Sequence, residues 1–473
     1  MKTTLTPQLL RPVTAVLKKA NARTAKAYPG DPADRQPVHT VYGGAQLFKS
    51  DTAVKMGQVA LKSLHQYAPD PKVFGEALGL PDRVARAVYQ RVVDKIKREP
   101  VEDFRIDFED GYGNRPDEEE DHHAIAAADE VRRALHDGTL PPFIGIRIKT
   151  FSQELAPRSI RTLDLFVSSL AKGGGKLPPN FVVTLPKLAS TEQVAALAKI
   201  LGILEKKLKL GPRALKLELM IETTQSIFAP DGSAAVRAMV DAADGRCRGA
   251  HFGTYDYTAG CNVTASQQRM DHPVCDFAKH VMQVQLAGTG VTLSDGATNV
   301  MPVGQHRSGQ GHALTSEQIH ENVMAVHKAW RLHFDHIRHS LSSGYYQGWD
   351  LHPAQLPTRY AAVYSFFLEG LQPASARLRG HHGGGDGPGR ADARRAADAV
   401  VSQDLGRKEK GIMKRRELIS YLTEKGCVLL REGGKYSVYQ NPANQKEVPI
   451  TRHPEMEDFA ARKICKALGL EPM

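Results

Sequence analysis

Between residues 38 and 372 the chain repeats one pattern: a short apolar run that stops at a polar or charged residue, then a longer stretch with helical spacing. The runs fall at 38–48, 103–109, 143–149, 181–187, 215–222, 249–256, 290–295 and 348–352. Helical stretches lie between them, among them Ala124–Leu135, Thr191–Leu204 and Ser316–Leu341. The second of these opens with Ser190-Thr191-Glu192-Gln193, a capping signal with an acid in the first turn. Eight strand–helix units in succession predict an α/β fold, a (β/α)8 TIM barrel. A doubly wound open sheet is the competing arrangement. No Gly-x-Gly-x-x-Gly follows the first run, which counts against it.

At 473 residues the chain exceeds one ordinary core, and the pattern breaks after Leu371. Residues 380–393 read Gly-His-His-Gly-Gly-Gly-Asp-Gly-Pro-Gly-Arg-Ala-Asp-Ala, which cannot bury a core and reads as a flexible linker. Two adjacent histidines in such a loop, His381 and His382, seldom hold a metal. From Met413 order returns: helix 414–425, strands 427–431, 435–440 and 446–450, and helix 456–468, a small α-β-β-β-α unit of the α+β class. The expected organisation is an N-terminal helical extension (1–37), a barrel (38–375), a Gly-rich linker (376–412) and a C-terminal domain (413–473).

Charge and cysteine usage narrow the setting. The formal net charge is +11, and residues 374–473 hold 19 basic against 13 acidic residues, so the tail is the place for a polyanionic partner. Five dispersed cysteines without a Cys-x-x-Cys pair point to reduced thiols in a cytoplasmic setting and against a zinc knuckle. No apolar run is long enough to span a bilayer, so no membrane partner is expected. Residues 1–28 are basic and free of acids, superficially like a transit peptide, and are read as a helix packed on the barrel.

In a barrel of this kind the chemistry sits where the strands end. The second run ends Asp107-Phe108-Glu109-Asp110, the third carries Arg147, the fourth ends Pro186-Lys187, the fifth gives Glu222 and the sixth Asp256. The seventh ends Ser294-Asp295-Gly296 and the eighth carries Asp350-Leu351-His352. Any one acid could be capping the next helix. The whole set is harder to explain that way. Glu222 and Asp256 are the candidate metal ligands, because oxygen donors on rigid strand ends suit Mg²⁺ or Mn²⁺, which take one or two protein carboxylates and keep several waters. Such an ion would polarise the carbonyl of a 2-oxo acid. Arg147 offers a planar fork for its carboxylate or a developing enolate oxygen. Glu109 and Asp110 would orient Arg147 or metal-bound waters, and Lys187 completes the catalytic set. The reaction class this predicts makes or breaks a carbon–carbon bond beside a carbonyl.

Six segments carry a family resemblance: Asp107-Phe108-Glu109-Asp110, Gly145-Ile146-Arg147, Leu185-Pro186-Lys187, Ile221-Glu222-Thr223, Gly253-Thr254-Tyr255-Asp256-Tyr257 and Gly348-Trp349-Asp350-Leu351-His352-Pro353-Ala354-Gln355. In this order they resemble the HpcH/HpaI aldolase and citrate-lyase beta-chain-like family over roughly 38–372. The resemblance implies a Mg²⁺-dependent (or Mn²⁺-dependent) barrel acting on a small 2-oxo acid or a malyl- or citramalyl-CoA thioester, and a homo-oligomer. It carries the metal-ligand role to Glu222 and Asp256 and the substrate-binding role to Arg147. Family members continue past the eighth helix with a segment that covers a neighbour's active site; here the Gly-rich linker stands in its place.

The C-terminal unit resembles a second family, the HicA-type toxins, which are small mRNA interferases with a double-stranded-RNA-binding-like fold. The matching pieces are Met413-Lys414-Arg415-Arg416-Glu417-Leu418, Arg431-Glu432-Gly433-Gly434-Lys435-Tyr436-Ser437-Val438-Tyr439, Pro449-Ile450-Thr451-Arg452-His453-Pro454-Glu455 and Ala461-Arg462-Lys463-Ile464. The resemblance implies RNA binding through Lys414, Arg415, Arg416, Lys435 and Arg452, and a HicB-like antitoxin as partner. Tyr436 stands where the family has its histidine, and a phenol of pKa about 10 is a poor proton acceptor at neutral pH. Cleavage is therefore expected to be weakened, with His453 the nearby imidazole able to substitute. The rival to a carbon–carbon lyase is an RNA-directed toxin-like effector carried on a passive barrel.

Overall fold

Eight parallel strands close into a barrel in chain order: β1 (His39–Gly44), β2 (Asp103–Asp107), β3 (Phe143–Arg147), β4 (Phe181–Leu185), β5 (Lys216–Ile221), β6 (Cys247–Phe252), β7 (Thr292–Ala297) and β8 (Gln347–Asp350), with β8 paired back to β1. The computed structural model describes residues 4–32, 34–174, 176–308, 313–380, 412–433, 436–451 and 455–470. The chain divides into two units, Met1–Gln372 and Pro373–Met473.

Strand periodicity decides what fills the barrel. Successive side chains alternate faces, and the outward set is apolar: Phe104, Ile106, Ile146, Val183, Leu185, Leu217 and Leu219 are all buried against the helical layer. The inward set includes Asp103, Arg105, Asp107, Arg147, Thr184 and Glu218, all buried. Gly145 faces the same interior: a Cβ there would lie 2.4 Å from the Val182 carbonyl and 3.1 Å from Arg105 Cδ. Its missing side chain is the space the guanidinium stem occupies. The helical layer is well started and stopped. Four acids fill the first turn of Asp117–Asp137, which ends at Gly138 in the left-handed region. A capping box between Thr315 and Gln318 opens Ser316–Ser342.

Most strands end a residue or two before the apolar runs do, and this re-places the site residues. β2 stops at Asp107, so Glu109 and Asp110 ride on the following turn. Asp256 does not close a strand: β6 stops at Phe252, and Asp256 lies in the first turn of the helix Thr254–Gly260.

The N-terminal helix Pro7–Ala27 departs from the expected packing, because none of its residues is buried. Leu5, Leu9, Val13, Val16 and Leu17, on one helical face or leading into it, are all more than half exposed. Its contacts with the barrel gather at its C-terminal end. There Arg237 donates to the Ala27 carbonyl and lies over the Tyr28 ring, and the Gly30 N–H bonds to the Gly288 carbonyl at 2.9 Å.

The helix after β8 runs Leu356–Gly380, through the first residues of the expected linker. His381 and His382 lie outside the described residues. In the second unit β10 (Val428–Glu432), β11 (Tyr436–Asn441) and β12 (Lys446–Thr451) form an antiparallel sheet in that order. It packs with the helices Arg415–Glu424 and Asp458–Ala467 around Leu418, Leu422, Cys427, Tyr439, Ile450, Ala461, Cys465 and Leu468. Periodicity did not reveal β9 (Ile412–Lys414) and β13 (Glu455–Glu457), a three-residue antiparallel pair. Each directly precedes one of the two helices. Among the described residues no helix is long and apolar enough to cross a membrane, and the five cysteines form no disulfide.

Candidate active site

At the carboxyl end of the barrel, Asp107 and Arg147 are the last residues of adjacent strands and are direct partners in the β2–β3 register. Their side chains share the interior, so the guanidinium meets the carboxylate edge-on: Nε donates to Oδ1 at 2.7 Å and Nη2 to Oδ2 at 2.5 Å. Two parallel charge-assisted bonds fix the orientation of both groups. The backbone N–H groups of Glu109 and Gly111 also donate to Asp107. A Cβ at residue 111 would sit 2.6 Å from Asp107 Oδ2, so the turn that carries Glu109 and Asp110 closes this tightly because residue 111 is glycine. Arg147 also lies 4.9 Å above the Tyr42 ring. Its remaining edge, Nη1, faces Glu109 at 3.0 Å and Asp110 at 3.4 Å. The parallel edge expected to meet a substrate carboxylate is thus spent on Asp107, and Nη1 is the edge turned toward the mouth.

Glu222 follows β5 directly and is buried. Gly253, just past β6, makes room for it: a Cβ there would lie 2.6 Å from Glu222 Oε2. The Lys187 N–H donates to Glu222 Oε1 at 2.7 Å. Lys187 itself has φ +51°, a left-handed backbone that costs a non-glycine residue roughly 1 kcal/mol or more and persists where the surroundings hold it. From that position its Nζ reaches Glu109, both oxygens of Asp110 at 3.2 Å, and Asp256 Oδ2 at 3.5 Å. Glu109, Asp110, Asp256 and, through the backbone, Glu222 therefore all gather on one lysine.

Acids outnumber bases here, and the protonation equilibria record it. Burial pushes the Glu222 carboxyl up to about 8, with Glu109 and Asp256 adding to the effect against the pull of Lys187 and Arg147. Burial likewise raises Glu109, with Asp110 beside it. Asp110, closer to water, is lowered: Arg147 and Lys187 outweigh its desolvation. The Lys187 ammonium is held charged by Glu222, Glu109 and Asp110 despite its partial burial.

Among the described residues no three His, Cys, Asp or Glu side chains form a ready-made metal cluster. The donor set nonetheless fits a hard divalent ion, which needs one or two protein carboxylates and fills its remaining positions with water and substrate oxygens. Glu222 and Asp256 supply oxygen donors, in a site whose negative charge exceeds what Lys187 and Arg147 neutralise.

Sequence reading missed a second polar layer beneath this one. Arg105 donates to Glu218 Oε2 through Nη2 at 2.6 Å and Nε at 3.1 Å, and pairs with Asp103. His251 Nε2 lies 3.3 Å from the same Glu218 oxygen, and its Nδ1 accepts from Trp349 Nε1 at 3.2 Å. Residues 103, 105 and 107 alternate along β2, and that period of two was the available signal that they share the interior with Arg147.

Two of the strand-end acids belong to neither layer. Asp295 turns outward, to Lys279 at 3.0 Å and Ser340 at 2.6 Å. Asp350 turns outward to His39 at 2.7 Å, His333 at 3.1 Å and Arg359 at 2.9 Å. Both stitch strands to helices.

In the second unit, Lys414 ends β9, and Arg415 and Arg416 open the following helix. Arg415 Nη2 donates to Ser437 Oγ at 2.8 Å, which brings the helix start to β11. Tyr436 begins β11 and is 54% exposed. Lys435, Arg452 and His453 lie outside the described residues.

The family described as "Domain of unknown function (DUF6986)" matches residues 17–390. Among curated proteins, none matches the sequence. Solved structures similar to this chain include a citrate lyase from Burkholderia xenovorans LB400, at 17% identity and TM-score 0.47, covering 79% of this chain and 94% of that one. A Haloferax volcanii malate synthase in a magnesium/glyoxylate complex is 13% identical, with TM-score 0.40 and coverage of 77% and 99%. An HpcH/HpaI aldolase/citrate lyase family protein from Burkholderia cenocepacia J2315 is 11% identical, with TM-score 0.36 and coverage of 76% and 99%. These likenesses are too distant to carry an activity to this chain.

Proposed function

We propose that this chain, which belongs to the DUF6986 family, is a divalent-metal-dependent carbon–carbon lyase or aldolase that cleaves or forms a bond next to the carbonyl of a 2-oxo acid or a related thioester. The observation that carries the reading is the over-acidic mouth, where a buried Glu222 pushed up to about 8 shares Lys187 with three further carboxylates opposite a fixed arginine.

Glu222 and Asp256 are the residues to hold Mg²⁺ or Mn²⁺, which when bound supplies Lewis-acid stabilisation of negative charge on the substrate's carbonyl oxygen. The remaining work falls to the protein. Asp107 locks the Arg147 plane, leaving Nη1 to donate to the carboxylate or to the oxygen on which charge develops as the carbon–carbon bond breaks. Glu109, raised by burial, is suited to take the proton from the substrate hydroxyl, which becomes the carbonyl of the released fragment as the carbon–carbon bond breaks, and to return it to the carbon of the enolate left behind. Lys187 and Asp110 set the charge around it. Release of pyruvate or glyoxylate from 4-hydroxy-2-oxo acids and from malyl- or citramalyl-CoA, with and without Mg²⁺, tests the reading. Turnover unchanged in Glu222→Gln would show the site is wrongly assigned.

The uncovered apolar stripe of Pro7–Ala27 supports assembly into a homo-oligomer. Light scattering of the intact chain and of one lacking residues 1–27 checks this, a monomer in both cases contradicting it. For the second unit we propose RNA binding with weakened cleavage. Its order of elements and the exposed Tyr436, in place of an imidazole, support this. Expression of residues 410–473 alone that arrests growth with loss of mRNA would favour the toxin reading instead.

A further inference from the structure

Lys187 is built into the mouth in a way that a general electrostatic role does not require. Its backbone sits in the left-handed region, its N–H is committed to Glu222, and its ammonium lies among Glu109, Asp110 and Asp256. Glu109 Oε2 is buried without a hydrogen bond although the Arg147 guanidinium is 3.0 Å away, so the acids are not fully satisfied even with both cations present. Resting on the metal reading above, we infer that Lys187 is a tethered stand-in cation: it holds the carboxylates together in the metal-free chain and is displaced when a divalent ion binds.

Carboxylates this close repel unless a positive charge sits among them. In the metal-free chain Arg147 also faces Glu109 and Asp110 but is pinned by Asp107, whereas Lys187 reaches those two acids and Asp256 from a side chain that can swing away. Its tether is a flexible four-carbon stem and its side chain is 30% exposed, so the ammonium can leave toward solvent without disturbing the Lys187 N–H that orients Glu222. A divalent ion entering among the same acids meets a like charge until that happens. Lys187 is therefore a positioning residue whose departure is part of metal uptake.

Calorimetric titration of the intact chain with Mn²⁺ tests this, using wild type, Lys187→Gln and Lys187→Arg. The expected result is that Lys187→Gln binds Mn²⁺ on the order of tenfold more tightly than wild type, because the competing charge is gone. Lys187→Arg, which keeps the charge, should stay within about threefold of wild type. Without metal, Lys187→Gln should melt roughly 2–4 °C lower, and saturating Mn²⁺ should restore it. As a check needing no variant, acylation of Lys187 in wild type, followed by mass spectrometry, should speed up when Mn²⁺ is added. If wild type binds Mn²⁺ but Lys187→Gln binds equally or more weakly, the stand-in role is overturned and the metal reading survives. If neither binds, both fall.

Discussion

Glu218 and Glu222 leave the same strand of one barrel four residues apart, and both are buried. Burial pushes each upward, yet they end on opposite sides of the ordinary carboxylate range. Glu218 is held well below it by Arg105 and His251, while Glu222 rises to about 8 among other acids. Burial and residue type are shared, so the partners set the difference. Glu218 has two bonds from one guanidinium and an imidazole on the same oxygen. Glu222 has a backbone N–H and the fields of Glu109 and Asp256. The lower layer is a closed structural unit, and the upper one is left short of positive charge.

The comparison breaks first if the lower layer proves dispensable. Arg105→Met strands Glu218 and Asp103 in the interior, and leaving a buried charge without its partner typically costs about 3–5 kcal/mol, so chemical denaturation should show a loss of that size. A loss under about 1 kcal/mol would mean the layer is not a closed unit. At the mouth the same kind of change should act on ligand binding more than on the fold: Glu222→Gln should lower Mn²⁺ affinity roughly 100-fold, about 2.7 kcal/mol, with little loss of stability.

The third expectation concerns pH. Glu222 has a folded value of about 8 against an ordinary 4.5, so in that window the folded state binds one more proton than the unfolded state. Stability of the metal-free chain should therefore fall as pH rises from about 4.5 to about 8, by up to about 1.4 kcal/mol per unit from this group. Glu222→Gln should flatten that slope, while Mn²⁺ affinity of wild type should increase over the same range as the ligand loses its proton. The smallest effect belongs to Asp110, the most exposed of the acids around Lys187: Asp110→Asn should change Mn²⁺ affinity by no more than about threefold.

What the sequence made legible follows from periodicity. Eight apolar runs gave the barrel, and the acids and bases after them gave Glu109, Asp110, Arg147, Lys187, Glu222 and Asp256, which the fold does bring to one end. Parity was needed for the rest. Trp349 and Asp350 are adjacent, and alternation sends the first inward to His251 and the second outward to His333 and Arg359. Asp107, the arginine's bidentate partner, was hidden because it precedes two other acids within three residues, and only cross-strand register shows which of the three pairs directly with Arg147. The uncovered N-terminal helix could not be foreseen either, since an apolar stripe looks the same whether its partner is the chain's own barrel or another surface.

If Glu222 and Asp256 hold one divalent ion at the barrel mouth, anomalous diffraction from crystals grown with Mn²⁺ will show a single strong peak between those two carboxylates, with the Lys187 ammonium moved away. An empty map at that position, or a peak elsewhere on the chain instead, would mean that the two carboxylates do not share an ion.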